Sequence, residues 1–518
     1  MEKLFETVEQ NTVPQKAEIT GDIPEWVEGQ LFRLGPAKWD FDDGFSLNHW
    51  LDGCALMYKF TIRKGHIEVM SRFLDTVSYQ KITQIKRPVF TEFGTKSYPD
   101  PCKNVFSRLY TKLVPLELTD NDMANVYTLD DELYATSETC HLWKLNPNDL
   151  TSTKKTDLKE VLSVNLASSH PHKCPSNGMV YNLGASFMTG LRYHIMKVPP
   201  PSPYAKEPKG FERGSILASI SSNNKTSFSY YHSFGLSEHY VLFLEQPLLV
   251  NTVRMAASGI KGYCLKDCFD WTPAQKTRFH LIDRITGQEL KTKFQSDAFF
   301  FFHHVNTYEE AGHLVADIQA FPNPEVLDKF YLSKLRLGQF DLSCQPIFTR
   351  FVLPLGNASD AKKGENLVTL KDTQATAVKQ DNGVVFLTPE TKGESGYEMP
   401  TINYSMFNTK KYRYMYGSGV FETGKFSNSL VKLDNVTGEM LVWKEHGSMY
   451  PGESIYVPRP GSTEEDDGVL ISVVLDVQAD TRDFLLVLDA KNLKELGRAY
   501  VPSSIRLPPT VHGLFLKD

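Results

Sequence analysis

The chain has no uncharged apolar run of the ~18 residues that a membrane-spanning helix needs, so no helical span is expected. Its opening residues, MEKLFETVEQNTVPQKAEI, have no apolar segment of the kind a secretory signal carries, which argues against export. Cysteine is scarce: seven in 518 residues, an odd number. Cys264 and Cys268 are spaced C-x3-C with no second pair in zinc-site spacing. A disulfide framework is therefore excluded, and free thiols in a reducing cytosol are expected. No block of five or six like charges occurs and the net charge is only −6, so no nucleic-acid partner is expected. The one short acidic cluster, Glu464 to Asp467, ends at a glycine and reads as a solvated turn. Long helical periodicity is also rare. The stretch VLDKFYLSKLRL (326–337) is the best helical candidate.

Strand signals dominate what remains. Val241 to Leu244, Val384 to Leu387 and Val469 to Leu475 are β-rich runs bounded by Gly, Pro, Asn and Asp. One pattern recurs: LWKLNPNDL (142–150), HLIDRITGQEL (280–290), LVKLDNVTGEMLVW (430–443) and LVLDAKNLKEL (486–496). Each is an apolar strand, then Asp or Asn, then a short turn and a second strand-like run. Repeated antiparallel hairpins along a chain of this length point to an all-β fold, a β-propeller rather than a sandwich. No linker divides it, so residues 1–518 read as a single domain, with 357–366 as a loop.

There are 14 histidines. His49, His66, His194, His239, His313 and His446 lie in mixed polar surroundings and read as ordinary surface or partly buried residues. Others are flanked by strand-formers or turn residues in an apolar context. In DAFFFFHHVNTYEEAGH (297–313), four phenylalanines run into His303 and His304. His170 and His172 lie in ASSHPHKCPSNG, His232 in FSYYHSFGL, and His512 in PPTVHGLF. A buried imidazole needs a partner: a carbonyl, a carboxylate or a metal. No short-range metal motif such as H-E-x-x-H is present. Taken singly, each is an ordinary core histidine. A metal site would need a fold that converges distant strands on one point, as the inner strands of a propeller do.

Read together, these segments resemble the carotenoid cleavage oxygenase family. The likeness begins at PEWVEGQLFRLGP (24–36) and continues through NHWLDG, EFGTKSYPDPCKN, ATSET, SHPH, YYHSFGL, FHHVNTYE, EMPTINY and EDDGVLISVV to HGLF. It spans nearly the whole chain, in family order. PDPCKN and EDDGVLISVV resemble the animal branch, which holds carotenoid oxygenases and the retinoid isomerohydrolase of vision. The resemblance implies a seven-bladed β-propeller capped by loops and short helices. It implies non-haem Fe(II) held by His170, His232, His303 and His512, with O2 as co-substrate, while His172 and His304 are structural. Glu138, Glu398 and Glu453 are implied to orient three of the four imidazoles, leaving the fourth without a carboxylate.

An apolar polyene substrate calls for an aromatic-lined tunnel, and 12% of the chain is aromatic. Phe93, Tyr230, Tyr231, Phe301 and Phe321 are the tunnel candidates, and aromatic faces would steady positive charge on a polyene. The family's monotopic habit directs attention to the stretch from Cys102 to Leu118, with Lys103, Arg108 and Lys112 among apolar residues, the composition of an interfacial helix. The stretch from Val253 to Leu265 is a second candidate, and Cys102 is a candidate for acylation. The function implied first is cleavage of a carotenoid at its central 15,15′ bond to give retinal, coupled in invertebrate members to trans-to-cis isomerisation. Eccentric 9′,10′ cleavage and retinyl ester isomerohydrolysis are the alternatives. A non-catalytic carotenoid binder is disfavoured by the full complement of histidines and glutamates.

Overall fold

In the strand Gly468–Asp476 all nine residues are buried. Val469, Ile471, Val473 and Leu475 pack into one apolar core, while Leu470 and Val474 pack into a second. His313–Phe321 behaves the same way, sending Leu314, Ala316, Ile318 and Ala320 one way and Val315 the other. Strands covered on both faces read as continuous apolar runs. This is why so much of the sequence shows β-composition without alternation.

The computed structural model describes the chain except for residues 102–117, 188–189, 202–208, 357 and 518. The fold is predominantly β. The described residues form eight sheets of three to six strands. Their strands pair antiparallel except at a short parallel contact between Phe294–Ser296 and Val385–Thr388. The four recurring sequence segments are all hairpins or strand pairs. His141–Leu145 pairs with Ser152–Asp157, Thr277–Asp283 with Phe294–Ser296, Ser429–Asp434 with Met440–Trp443, and Phe484–Asp489 with Glu495–Tyr500. The two ends of the chain share sheets: Glu18–Gly21 pairs with Glu495–Tyr500, and Gly29–Lys38 pairs with His512–Lys517.

Three sequence readings need correction. The segment read as one helix over 326–337 is two single-turn helices, Val326–Lys329 and Leu332–Leu335. Tyr331 between them is extended and bridges to His49, and the Phe330 carbonyl accepts from Trp50 N. Tertiary pairing of the backbone thus overrides the local helical pattern. The acidic cluster is not simply solvated: Glu465 Oε1 accepts from the backbone N–H groups of Arg413 and Tyr414, and Asp466 pairs at 2.6 Å with the buried Lys432. His49 and His313 are buried, not superficial. His49 Nε2 lies 2.9 Å from the Leu327 carbonyl, and burial holds its pKa down to about 4.

The second candidate membrane segment contains a helix, Thr252–Lys261, capped by the Asn251 side chain and ended by Gly262 at φ +70°. Val253 and Ile260 are 61% and 59% exposed on it. The first candidate, residues 102–118, lies outside the described residues but for Leu118. No described helix is long and apolar enough to cross a membrane. Cys54, Cys140, Cys174, Cys264, Cys268 and Cys344 are free thiols.

Candidate metal centre

His170, His232, His303 and His512 converge. One nitrogen from each lies within 4.8 Å of those of the other three. Nε2 of His232 is 2.8 Å from Nε2 of His170 and 3.0 Å from that of His303, which is 3.1 Å from that of His512. The four come from separate parts of the fold. His170 sits between the short strands Leu166–Ala167 and His172–Lys173, with its N–H on the Ser168 hydroxyl. That hydroxyl in turn donates to the His232 carbonyl. Ser233 Oγ donates to the Phe302 carbonyl and accepts from His304 N, tying the His232 segment to the His303 strand. His512 opens the last strand, opposite Leu34.

Three rings are held from behind by carboxylates. Nδ1 of His232 meets Glu138, Nδ1 of His303 meets Glu398 at 2.7 Å, and Nδ1 of His512 meets Glu453 at 2.7 Å. His170 has no carboxylate, and its Nδ1 is 3.4 Å from the Asn125 amide nitrogen. A carboxylate accepts, so each of those three Nδ1 atoms carries the proton and leaves Nε2 with a bare lone pair. Two bare lone pairs about 3 Å apart repel, as that of His303 does with those of His232 and His512. Burial and the neighbouring imidazoles hold His170 well below the ordinary histidine range. Burial also holds His232 down against the opposing pull of Glu138. A shared cation removes the repulsion. Glu138, Glu398, Glu453 and the nearby Arg33 carry a formal charge of −2, which a divalent ion balances. Neutral imidazoles suit a borderline metal such as Fe(II), and Nδ1-to-carboxylate pairs are its usual outer support. The residues fit the metal.

Arg33 was not identified as a site residue by its sequence motif. It is 1% exposed; Nη1 donates to Glu453 Oε2 at 2.7 Å, and Nε and Nη2 donate to the Thr510 hydroxyl. Glu453 also accepts from Gly513 N. Burial pushes the Glu453 carboxyl up, but His512 and Arg33 outweigh it and hold it below its usual value. A charged residue inside the run QLFRLG was the available signal, since buried arginine is rarely unpaired.

A cavity of about 310 Å³ adjoins the cluster, bordered by His232, His303 and His512. Phe93, Tyr230, Tyr231 and Phe321 line it. Phe301 does not, and its assignment is corrected. It is fully buried in another core, against Phe299 and the His304 ring. Phe302 lines the cavity instead. Strict strand alternation would place residues 301 and 303 on one face. The register shifts between Phe301 and His304, and this irregularity turns Phe302 and His303 to the same side. The tyrosine hydroxyls are spent on the wall, Tyr230 donating to Glu138 Oε1 and Tyr231 to the Leu166 carbonyl.

The two remaining histidines stand apart. His172 bonds the Tyr404 hydroxyl and the Phe234 carbonyl. Both His304 nitrogens are buried without a hydrogen-bond partner among the described residues, and burial takes its pKa down to about 3.

A family model described as Retinal pigment epithelial membrane protein matches residues 5–517. The chain is 40% identical over 527 residues to Beta,beta-carotene 15,15'-dioxygenase of Gallus gallus, covering 100% of this chain and 98% of that protein. It is 38% identical to the Homo sapiens protein of that name, covering 98% and 92%. It is 39% identical to the Carotenoid-cleaving dioxygenase, mitochondrial, of Mustela putorius furo, covering 99% and 96%. The cobalt-substituted apocarotenoid oxygenase of Synechocystis shares its fold, with a TM-score of 0.78 at 20% identity, over 99% of this chain and 98% of that one.

Proposed function

The chain belongs to the carotenoid dioxygenase family matched by the Retinal pigment epithelial membrane protein model, and from that premise we propose that it cleaves a carotenoid at the central 15,15′ double bond with O2 to give retinal. The observation that carries this reading is the convergence of four imidazole Nε2 atoms, three of them backed by carboxylates, at the edge of an aromatic cavity. Fe(II) would be held by His170, His232, His303 and His512. When bound, it supplies the electronic coupling that lets O2 react with a polyene.

The rest falls to the chain's own side chains. Glu138, Glu398 and Glu453 keep the proton on Nδ1, so that Nε2 stays free to ligate. Phe93, Tyr230, Tyr231, Phe302 and Phe321 exclude water and offer ring faces to positive charge on the polyene. Such charge also weakens neighbouring double bonds, so we assign coupled trans-to-cis isomerisation to the same site. The single domain is proposed to be a seven-bladed propeller with a cap. Supporting this are the sequential four-stranded meanders, the sharing of sheets by the two chain ends and the fold likeness. The exposed apolar residues of the helix Thr252–Lys261, together with residues 102–118, are proposed to rest on a membrane surface from which substrate enters. Eccentric cleavage is the second reading, because relatives named carotenoid-cleaving dioxygenase are as similar as those named for the central bond.

The test is incubation of iron-loaded protein with all-trans β-carotene, with and without O2, and isomer-resolved chromatography of the products. Retinal formed only in air supports the proposal, and a constant cis fraction supports coupled isomerisation. Longer apocarotenals select the eccentric reading. Product formed from a retinyl ester without O2 overturns both.

The corrected strand facing makes a further prediction. Phe302→Ala changes KM and the product isomer ratio while iron content holds. Phe301→Ala leaves both unchanged and costs about 3–5 kcal/mol of stability, read by denaturant titration.

A further inference from the structure

The hairpin of His141–Leu145 and Ser152–Asp157 ends in a corner that the proposed oxygenase chemistry leaves unused. His141 and Asp157 are its terminal cross-strand pair. Cys140 comes just before, its carbonyl accepting from Leu158 N at the start of the helix Leu158–Leu162. The hairpin end and the helix start therefore gather a thiol, an imidazole and a carboxylate, with one atom of each within 4.8 Å of the others. Cys140 and His141 are 5% and 8% exposed, and Asp157 is half-buried. The Cys140 sulfur, 3.6 Å from Nδ1 and 3.9 Å from Nε2, is the only hydrogen-bond partner of the His141 ring among the described residues. A buried imidazole with only a thiol beside it is poorly satisfied. Asp157 Oδ1 caps the helix by accepting from Lys159 N, and the carboxylate also faces the Cys140 thiol.

We infer that Cys140, His141 and Asp157 form a second divalent-metal site, of zinc type, separate from the four-histidine cluster. One sulfur, one nitrogen and one oxygen donor make a set that zinc takes with a fourth position open. Metal–sulfur and metal–nitrogen bonds of about 2.3 and 2.1 Å at a tetrahedral angle span about 3.6 Å, the separation of Cys140 Sγ from His141 Nδ1. The charges also close. On binding, the thiol proton leaves to solvent, and thiolate, carboxylate and dication sum to zero, so no net charge is buried. Lys155, a cation that acts on His141, is paired with Asp120 at 3.0 Å. The half-exposed Asp157 side is where a water completes the shell. The metal ties together the corner whose preceding turn carries Glu138, two residues before Cys140.

Cobalt titration of the full-length, iron-loaded protein tests this. A thiolate ligand gives Co(II) a near-ultraviolet charge-transfer band, which an all-imidazole site does not. The expected result is a band that saturates at one cobalt per chain and is displaced by Zn(II). It vanishes in Cys140→Ser, with iron content retained. Asp157→Asn keeps the helix cap and weakens cobalt binding at least tenfold. No band in the native protein, or an unchanged band in Cys140→Ser, overturns the inference. Where Cys140→Ser loses iron and so reports misfolding, Asp157→Asn decides, and undiminished cobalt affinity there overturns it. None of these readings depends on carotenoid turnover.

Discussion

His303→Ala empties the four-histidine site of iron and lowers cleavage at least ~100-fold, beyond the 10–100-fold that loss of an outer partner costs. His303 is the bridge of the cluster, with Nε2 3.0 Å from that of His232 and 3.1 Å from that of His512. Its removal also takes the His303 Nδ1 proton from Glu398 Oε2, leaving it the Met399 backbone N–H. The neighbouring histidine provides the control. His304→Ala keeps iron and activity and costs about 1–3 kcal/mol, because it opens a gap beside Phe301. His304→Leu is neutral or stabilising, since it fills that space and removes two buried nitrogens with no hydrogen-bond partner. Iron by elemental analysis, with turnover and denaturant midpoints, separates these outcomes. Iron retained in His303→Ala and lost in His304→Ala would reverse the facing of this strand.

Arg33→Met destabilises the protein by about 3–5 kcal/mol, the cost of leaving one member of a buried ion pair without the other. Arg33 and Glu453 are both out of solvent, and the guanidinium fork also spans the Thr510 hydroxyl. Lysine does not rescue, because one ammonium cannot serve both partners in that geometry. The double variant Arg33→Met/Glu453→Gln recovers most of the lost stability, since no charge is left buried alone. It does not recover iron affinity, which stays about 10–100-fold weak because a neutral amide replaces the carboxylate behind His512. Stability from denaturant titration and iron dissociation from chelator competition separate the two effects. A single variant as stable as the native protein would show that Arg33 does not balance Glu453.

The candidate centre was partly legible because its residue types are local facts. Histidines in apolar sequence contexts at 170, 232, 303 and 512 are visible one motif at a time, as are Glu138, Glu398 and Glu453. Their partnership was not visible. Glu138 meets His232 across 94 positions, Glu398 meets His303 across 95, and Glu453 meets His512 across 59. Nothing in the composition around a glutamate states which distant strand will stand beside it. Arg33 lay in plain view in an apolar run, yet its partner is 420 positions away.

The sequence by itself determined the β-rich character, the hairpins, the absence of a helical span and the donor set available to a metal. These depend on side-chain chemistry and on periods of a few residues. Only the tertiary structure decided that Phe302 rather than Phe301 faces the cavity, that 326–337 breaks at Tyr331, and which carboxylate stands behind which imidazole. Each of these follows from backbone hydrogen bonds between distant segments. Such bonds shift a strand's register or straighten a helix at a free-energy cost smaller than the packing they allow, and local sequence does not encode that balance.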